Sequence, residues 1–197
     1  MKLGDQPMVS VSSASTSLSL EEFLQLPETK PASEYIDGRI YQKPMPQGKH
    51  SRLQTRFSTE INQRMESERL GCAFTELRCT FAGRSIVPDI SVFSWERIPR
   101  TASGEVENAF TIHPDWVIEI LSPDQRITRV INNILFCLNN GTNLGWLIDP
   151  EEKNVIIFQP GQQPIGKEEP SERLILLPVL EKWQLTVEAM FGCLSLS

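Results

Sequence analysis

The 197-residue chain has no excess of positive charge, because 25 acidic residues outnumber 19 lysines and arginines and leave a net charge of −6. This balance excludes a protein that binds nucleic acid through its overall charge, although it allows a local basic groove. The sequence also lacks the CxxC spacing of metal-binding cysteines. We therefore expect no structural zinc site or disulfide framework, and we interpret the four cysteines as reduced core thiols of a cytosolic protein. They are Cys72, Cys79, Cys137 and Cys193.

Long apolar runs are missing as well. No stretch reaches membrane-spanning length, and the first residues lack the hydrophobic region of a signal peptide. We therefore expect a cytoplasmic protein that does not associate with a membrane. The sequence contains no internal repeat, no phosphate-binding Walker loop and no GxGxxG motif, so nothing in it indicates an organic cofactor.

What the chain does contain is 40% hydrophobic and 22% charged residues, a composition typical of a soluble domain with a sizeable core. The polar, serine-rich residues 1–18 predict a disordered tail, which leaves residues 19–197 for a single domain. The order of patterns along the domain is helix, strands, basic helix, three strands, helix and strand hairpin. This order predicts an α/β (α+β) fold with a mixed central β-sheet flanked by helices.

Two patterns stand out in the first third of the domain. Asp37-Gly38 lies between two short strand-like segments and predicts a β-hairpin. An amphipathic helix follows, predicted by apolar residues at intervals of four. These residues are Leu53, Phe57, Ile61 and Met65.

Residues 39–64 form the most basic segment of the chain, with a single acid, Glu60. Its six cationic residues are Arg39, Lys43, Lys49, Arg52, Arg56 and Arg64. For any single arginine of this set, a solvated helix face is the alternative that base rates favour. The group as a whole predicts a surface that binds anions.

Two apolar strand-like segments each contain one carboxylate. Asp89 follows Pro88 in the segment 86–93, and Glu119 lies in the middle of the segment 116–123. A buried carboxylate without a partner is costly, so Glu119 needs a cation, a metal ion or a proton. Two carboxylates on neighbouring strands suit Mg²⁺, which polarises phosphoryl groups and activates water. Alternatively, both carboxylates lie at strand ends and contact water or an arginine.

These segments resemble the PD-(D/E)XK nuclease superfamily, in which Pro88-Asp89 and the later Glu119-Ile120-Leu121 match the motif. The likeness extends over roughly residues 20–192 to an uncharacterised bacterial family of putative restriction endonucleases. The matching elements are Glu34 with Asp37-Gly38, His50 at a helix start, segments 87–93 and 117–123, a helix ending at Gly141, and segment 145–150.

The resemblance implies a restriction-endonuclease-like fold and a Mg²⁺ or Mn²⁺ cofactor. It implies that Asp89 and Glu119 are the metal ligands, with the Ile120 carbonyl as a third. Glu34 then completes the acidic cluster, although a helix cap or a salt bridge explains it equally well. The implied partner is DNA. Cutting both strands calls for a two-fold arrangement, so we also expect a homodimer.

The lysine of the superfamily motif is missing from its expected places. The motif position holds Leu121, and the matching position on the next helix, used by the bacterial family, holds Asn133. No lysine occurs between Lys49 and Lys153. Arg129, one turn before Asn133, stabilises negative charge but stays protonated, whereas Asn133 only positions a water by hydrogen bonding. The preceding loop adds two further polar residues, Gln125 and Arg126.

Polar residues at the start of the basic helix complete the predicted site. His50, beside Lys49, is placed to contact phosphate or to titrate near neutral pH, although a surface or capping histidine is the alternative. The predicted nucleic-acid-binding residues are Lys49, His50, Arg52 and Arg56. We expect the tryptophans Trp95, Trp116, Trp146 and Trp183 in or beside the core, where they do not stack on bases.

Three functions therefore stand against one another. The first is a Mg²⁺-dependent DNA endonuclease that hydrolyses phosphodiester bonds at Asp89 and Glu119. The second is a weakened or inactive nucleic-acid-binding protein on a nuclease scaffold, which the absent motif lysine favours. The third is an interaction or structural domain that binds neither metal nor nucleic acid, since fold alone does not decide function.

Overall fold

The computed structural model describes residues 18–123 and 125–196. The helices in these ranges are α1 (Leu20–Leu24), α2 (Gly48–Met65), α3 (Ile127–Asn139) and α4 (Val187–Gly192). The strands are β1 (Ser33–Ile36), β2 (Arg39–Gln42), β3 (Gly71–Thr75), β4 (Cys79–Phe81), β5 (Arg84–Ile86), β6 (Ile90–Ser94), β7 (Trp116–Ile120), β8 (Leu144–Asp149), β9 (Asn154–Phe158) and β10 (Ile165–Lys167). Apart from Leu18, the predicted disordered tail lies outside the described residues. None of the helices in the described ranges has the length and hydrophobicity to cross a membrane.

The main sheet has six strands in the order β10-β9-β8-β7-β6-β3. Strands β7 and β8 are parallel and are connected through α3, whereas their neighbours pair in antiparallel fashion. A parallel pair requires such a crossover, because a short turn can only reverse the chain direction. The predicted mixed central sheet is therefore confirmed.

A smaller four-stranded sheet has the order β2-β1-β5-β4. Its β1–β2 hairpin closes through Asp37 and Gly38, whose φ angles of 50° and 80° both lie in the left-handed region. Two left-handed residues match the twist of the flanking strands, and this is why Asp-Gly is favoured in two-residue hairpins. The predicted hairpin is confirmed, with Ile36 opposite Arg39 across the turn.

Hydrophobic side chains cover both faces of the main sheet. The predicted stripe of α2 is buried against the face that carries Trp116, Ile118 and Ile120, and Phe57 stacks on Trp146 with ring centroids 5.5 Å apart. Residues of α3 pack on the opposite face, where Val117 lies. Because alternate residues of a strand point to opposite faces, Glu119 lies on the α3 side.

Gly145 on β8 allows α3 to approach the sheet closely. A Cβ atom at this position would lie 2.4 Å from Cγ2 of Ile134. Glycine is required here because no side chain fits between helix and strand. The close approach also brings Asn133, the residue before Ile134 on α3, towards the carboxylates described below.

Candidate active site

The β1–β2 hairpin aims two charged side chains in the same direction. Glu34 lies opposite Tyr41, and the Lys43 amide donates to the carbonyl of Ala32 at 2.9 Å, which continues the ladder beyond β2. Opposed residues share a face, and side chains alternate along a strand. Glu34, Tyr41 and Lys43 therefore point to the same side of the hairpin.

The hairpin holds the linker between β5 and β6 from both sides. The amide of Val87 donates to Glu34 Oε1 at 2.9 Å, and Lys43 Nζ donates to the carbonyl of Val87 at 2.7 Å. Asp89 lies two residues after Val87, and its Oδ2 accepts a 2.7 Å hydrogen bond from the amide of Ile120. Asp89 is thus fixed against the end of β7, one residue from Glu119.

Lys43 lies between the two predicted metal-binding carboxylates. Its Nζ is 2.6 Å from Asp89 Oδ1 and 3.6 Å from Glu119 Oε2, and its side chain is 8% exposed. Asp89 and Glu119 are therefore brought to either side of one buried ammonium group. The chain supplies this lysine from β2, far from the positions of Leu121 and Asn133.

Three buried carboxylates share this single lysine. Glu34, Asp89 and Glu119 are 4%, 1% and 2% exposed. Burial raises the pKa of Glu119 well above its usual range, and burial also raises the pKa of Glu34, because Lys43 offsets only part of the desolvation in each case. Burial opposes the ionised form of Asp89 too, but Lys43 and then His50 hold the pKa of Asp89 below its usual range.

The charge of Lys43 itself is maintained by the same groups. Burial opposes its ammonium form, but the carboxylates of Asp89, Glu119 and Glu34 outweigh burial and raise the pKa of Lys43. Three carboxylates against one ammonium leave the centre short of positive charge. The oxygen donors of Asp89 and Glu119 fit a hard divalent cation, which would offset this excess.

Asn133, the position that the resemblance assigns to the family's lysine, carries an uncharged amide. Its Nδ2 donates to Glu34 Oε2 at 3.1 Å, while its buried Oδ1 has no hydrogen-bond partner among the described residues. Arg129 lies over the ring of Tyr41, 4.1 Å from the centroid. Both α3 residues line a cavity of about 20 Å³ beside Lys43 and Glu119, large enough for one water molecule.

His50 at the start of α2 is also buried in this centre. Its Nδ1 lies 3.3 Å from Ser122 Oγ, and its Nε2 lies 3.4 Å from Asp89 Oδ1. The alternative of a surface histidine is therefore wrong. Because α2 packs across the sheet, its first turn reaches the end of β7, where Ser122 follows the strand.

The other predicted nucleic-acid-binding residues lie apart from the centre. Lys49 forms an exposed ion pair with Glu151 at 2.6 Å. Arg52 Nε donates to the carbonyl of Cys193 at 2.9 Å. Arg52 and Arg56 both line a surface cavity between α2 and the C-terminal segment. At 100° per residue, both arginines point away from His50 around α2. Their role in binding nucleic acid stays a prediction.

A different surface with three arginines adjoins the centre, and one of them, Arg84, is ion-paired with Asp37. A polar groove of about 620 Å³, here called the α3 groove, is lined by Arg84, Arg126 and Arg129 and shares Tyr41 and Asn133 with the small cavity. Of these arginines, the sequence did not single out Arg84, because it lies at a strand start without any charge pattern around it. Among the predicted loop residues, Gln125 lines the small cavity and Arg126 lines the groove.

Comparisons with known proteins agree with this architecture. Residues 20–188 match the family model of Uma2, whose description is "Putative restriction endonuclease". The chain belongs to the Uma2 family. A crystal structure of a "putative nuclease belonging to DUF820" from Anabaena variabilis ATCC 29413 is 51% identical to this Uma2 chain, with a TM-score of 0.88 over 90% of this chain and 99% of the other. No curated protein matches the chain. The predicted family and the restriction-endonuclease-like fold are thus confirmed.

Lys43 of this Uma2 chain is the site residue that sequence reasoning missed. The motif directed attention to positions after Glu119, and Lys43 was grouped with the basic segment instead. A usable signal was nevertheless present. The two-residue turn at Asp37-Gly38 sets the hairpin register, and that register places Lys43 on the same face as Glu34.

Proposed function

We propose that this Uma2 protein is a divalent-metal-dependent DNA endonuclease whose hydrolytic centre consists of Asp89, Glu119 and Lys43. One observation carries the proposal: the Lys43 ammonium lies 2.6 Å from Asp89 Oδ1 and 3.6 Å from Glu119 Oε2. A lysine from the hairpin thereby supplies the positive charge that the motif position lacks. The family match supports nuclease chemistry, and the three side chains supply the groups that such chemistry needs.

The residues divide the work of phosphodiester hydrolysis. Asp89 and Glu119 would hold Mg²⁺ or Mn²⁺, and the ion would polarise the scissile phosphate as a Lewis acid. The Ile120 carbonyl stays in the proposal as a third ligand. Lys43 is a fixed positive charge that stabilises the negative charge developing on the phosphate, because preorganised charges in a buried site need no reorganisation.

Asn133 and Glu34 support the attacking water. The 20 Å³ cavity beside Lys43 and Glu119 admits one water, and the unpartnered Oδ1 of Asn133 can accept a hydrogen bond from it. Glu34 accepts from the Asn133 amide and thereby fixes its orientation. Arg129, stacked on Tyr41, presents a further cation at the mouth of this cavity.

The α3 groove is the proposed path of the DNA backbone. Its arginines come from β5 and α3 and adjoin the hydrolytic centre, so phosphates bound along the groove would pass the buried carboxylates. Phosphate contacts by lysine and arginine supply most of the sequence-independent affinity for DNA. Arg52 and Arg56 line a separate cavity beside the C-terminal segment, so they are a weaker choice for this role.

The proposal also covers the oligomeric state of the protein and its cellular location. Each chain contributes one centre from the single domain of residues 19–197, and two antiparallel DNA strands require two centres related by a two-fold axis. We therefore propose a homodimer for double-strand cleavage. The four free thiols suit the reducing cytoplasm.

A second function, DNA binding without cleavage, is favoured by one contact. Lys43 Nζ also donates to the carbonyl of Val87, and it neutralises Asp89 without any metal ion. In a protein that only binds DNA, Lys43 would clamp the β5–β6 linker and take no part in chemistry. The two functions differ in cleavage and share salt-sensitive binding.

An assay of supercoiled plasmid cleavage in Mg²⁺ or Mn²⁺ distinguishes the endonuclease from the protein that only binds DNA. We expect nicked and linear products from the native chain. Asp89→Asn and Glu119→Gln should each reduce the rate at least about 100-fold, since a single stabilising group in a hydrolytic site is worth that much. The control Glu152→Gln, in the exposed β8–β9 turn, should keep the native rate. Cleavage by Asp89→Asn at the native rate would refute the proposed hydrolytic centre. Salt-sensitive DNA binding by the native chain without any cleavage would establish the second function.

A further inference from the structure

A second group of potential cation ligands meets at Asp89. His50, Glu76 and Asp89 each offer one ligand atom, and these three atoms all lie within 4.8 Å of one another. They come from the first turn of α2, the β3–β4 loop and the β5–β6 linker. The group differs from the Asp89–Glu119 pair because it contains an imidazole nitrogen and reaches the surface through Glu76, which is exposed.

Glu76 is held in position by its neighbours. Its amide donates to the carbonyl of Asp89 at 3.2 Å, and its Oε1 accepts a 3.0 Å hydrogen bond from Gln54 Nε2. The same Gln54 nitrogen donates to the Asp89 carbonyl at 2.8 Å. Gln54 therefore ties the exposed carboxylate to the backbone of the buried one, and both stay on the side of α2 that carries His50.

His50 supplies an independent indication of a missing ligand. The residue is 6% exposed, and its Nε2 has no hydrogen-bond partner in the described part of the chain. Buried polar nitrogens without partners are rare, because their desolvation is not compensated. In the tautomer that carries its proton on Nδ1, the ring can donate to Ser122 Oγ and leaves the Nε2 lone pair for an ion beside Asp89, which is how ligating histidines are oriented by a second hydrogen bond.

We propose that His50 Nε2 and carboxylate oxygens of Glu76 and Asp89 form a cation site of their own, which takes a first-row transition-metal ion such as Zn²⁺ in preference to Mg²⁺. Imidazole nitrogen favours transition metals, whereas Mg²⁺ takes oxygen ligands. The site shares Asp89 with the hydrolytic centre but does not require that the chain cleaves DNA. Glu76 is exposed, so this ligand of the site can meet an ion directly from solvent.

Zn²⁺ titration of the full-length, ¹⁵N-labelled chain tests the proposal, because the sequence contains two histidines. We expect the Nε2 resonance of His50 to shift on addition of Zn²⁺, while His113, which lies against Arg97 and Phe81, stays unchanged as an internal control. Mg²⁺ at the same concentration should leave the His50 resonance in place. An unshifted His50 resonance in Zn²⁺ would overturn the proposal.

Calorimetry with matched variants supplies the second measurement. His50→Gln and Glu76→Gln should each weaken Zn²⁺ binding at least about tenfold, since changes to second-shell partners alone cost 10- to 100-fold. His113→Gln should keep the native affinity, and native affinity in Glu76→Gln would contradict the ligand set. Glu119→Gln separates this inference from the proposed endonuclease. Glu119→Gln should reduce cleavage at least about 100-fold and keep the Zn²⁺ shift of His50, so either result can fail alone.

Discussion

Replacing Lys43 by methionine should destabilise the protein by about 3–5 kcal/mol, the usual cost of removing one partner from a buried ion pair. Methionine keeps the unbranched side chain up to the ε position but leaves the buried Asp89 carboxylate without its cation. At an effective dielectric constant of 20, two unit charges about 4 Å apart interact by roughly 4 kcal/mol, and the 2.6 Å between Lys43 Nζ and Asp89 Oδ1 lies inside that distance.

The exposed pair Lys49–Glu151 provides a matched control. Its two charged atoms are also 2.6 Å apart, but its side chains are 52% and 59% exposed, against 8% and 1% for Lys43 and Asp89. Lys49→Met should therefore change the stability by less than about 1 kcal/mol. Urea unfolding in EDTA, followed by circular dichroism, measures both variants.

Metal ions extend the same prediction. Because Lys43→Met leaves the carboxylates uncompensated, Mg²⁺ should bind this variant more tightly than the native chain and restore part of the lost stability. An ion present at 100 times its dissociation constant stabilises the folded state by about 2.7 kcal/mol. The reasoning would be refuted if Lys43→Met and Lys49→Met lost equally little stability in EDTA.

The remaining predictions concern the α3 groove and the packing of α3. Arg126→Ala and Arg129→Ala should each weaken DNA binding and lower the slope of log affinity against log salt by about 1, whereas Arg52→Ala should change neither quantity. Fluorescence anisotropy at several salt concentrations measures both. If only Arg52→Ala weakened binding, the DNA would not lie along the α3 groove. Gly145→Ala should destabilise the fold by about 1–3 kcal/mol, because its Cβ would lie 2.4 Å from Ile134. Gly166→Ala, whose Cβ would meet its nearest atom at 3.8 Å, is the control in the same thermal unfolding assay, and equal losses would contradict the packing argument.

Much of the fold follows from local patterns. The stripe from Leu53 to Met65 and the apolar run of β7 are periodic signals, and both elements formed where they were expected. Asp37-Gly38 predicted its hairpin through turn chemistry alone. Such signals succeed because the residues that determine each element lie within one short window of sequence.

The site was only partly predictable, because its contacts join distant parts of the chain. Asp89 and Glu119 were found because each interrupts an apolar strand, and a buried carboxylate demands a partner. Their partner Lys43 lies 46 residues before Asp89, and only the hairpin register connects it to the site. Glu76 lies in a loop without any periodic pattern, so no local signal marked it as a neighbour of Asp89.

In the basic segment, a clear charge pattern predicted the wrong surroundings for one residue, Lys43. Charge density alone grouped Lys43 with Arg52 and Arg56 as a surface for anions. The structure buries Lys43 among carboxylates and turns the two arginines towards the C-terminal segment. Composition cannot distinguish these environments, because both place a cation next to an acceptor.

The most direct test of the central claim is the single-turnover rate of plasmid cleavage by Lys43→Gln in Mn²⁺. The assay is run with saturating protein, at a temperature where circular dichroism shows the variant to be folded. If Lys43 supplies the charge that acts on the phosphate, the rate should fall at least about 100-fold while DNA affinity stays within about twofold of the native value. Cleavage by Lys43→Gln at the native rate would show that the hairpin lysine only stabilises the fold and would contradict the account.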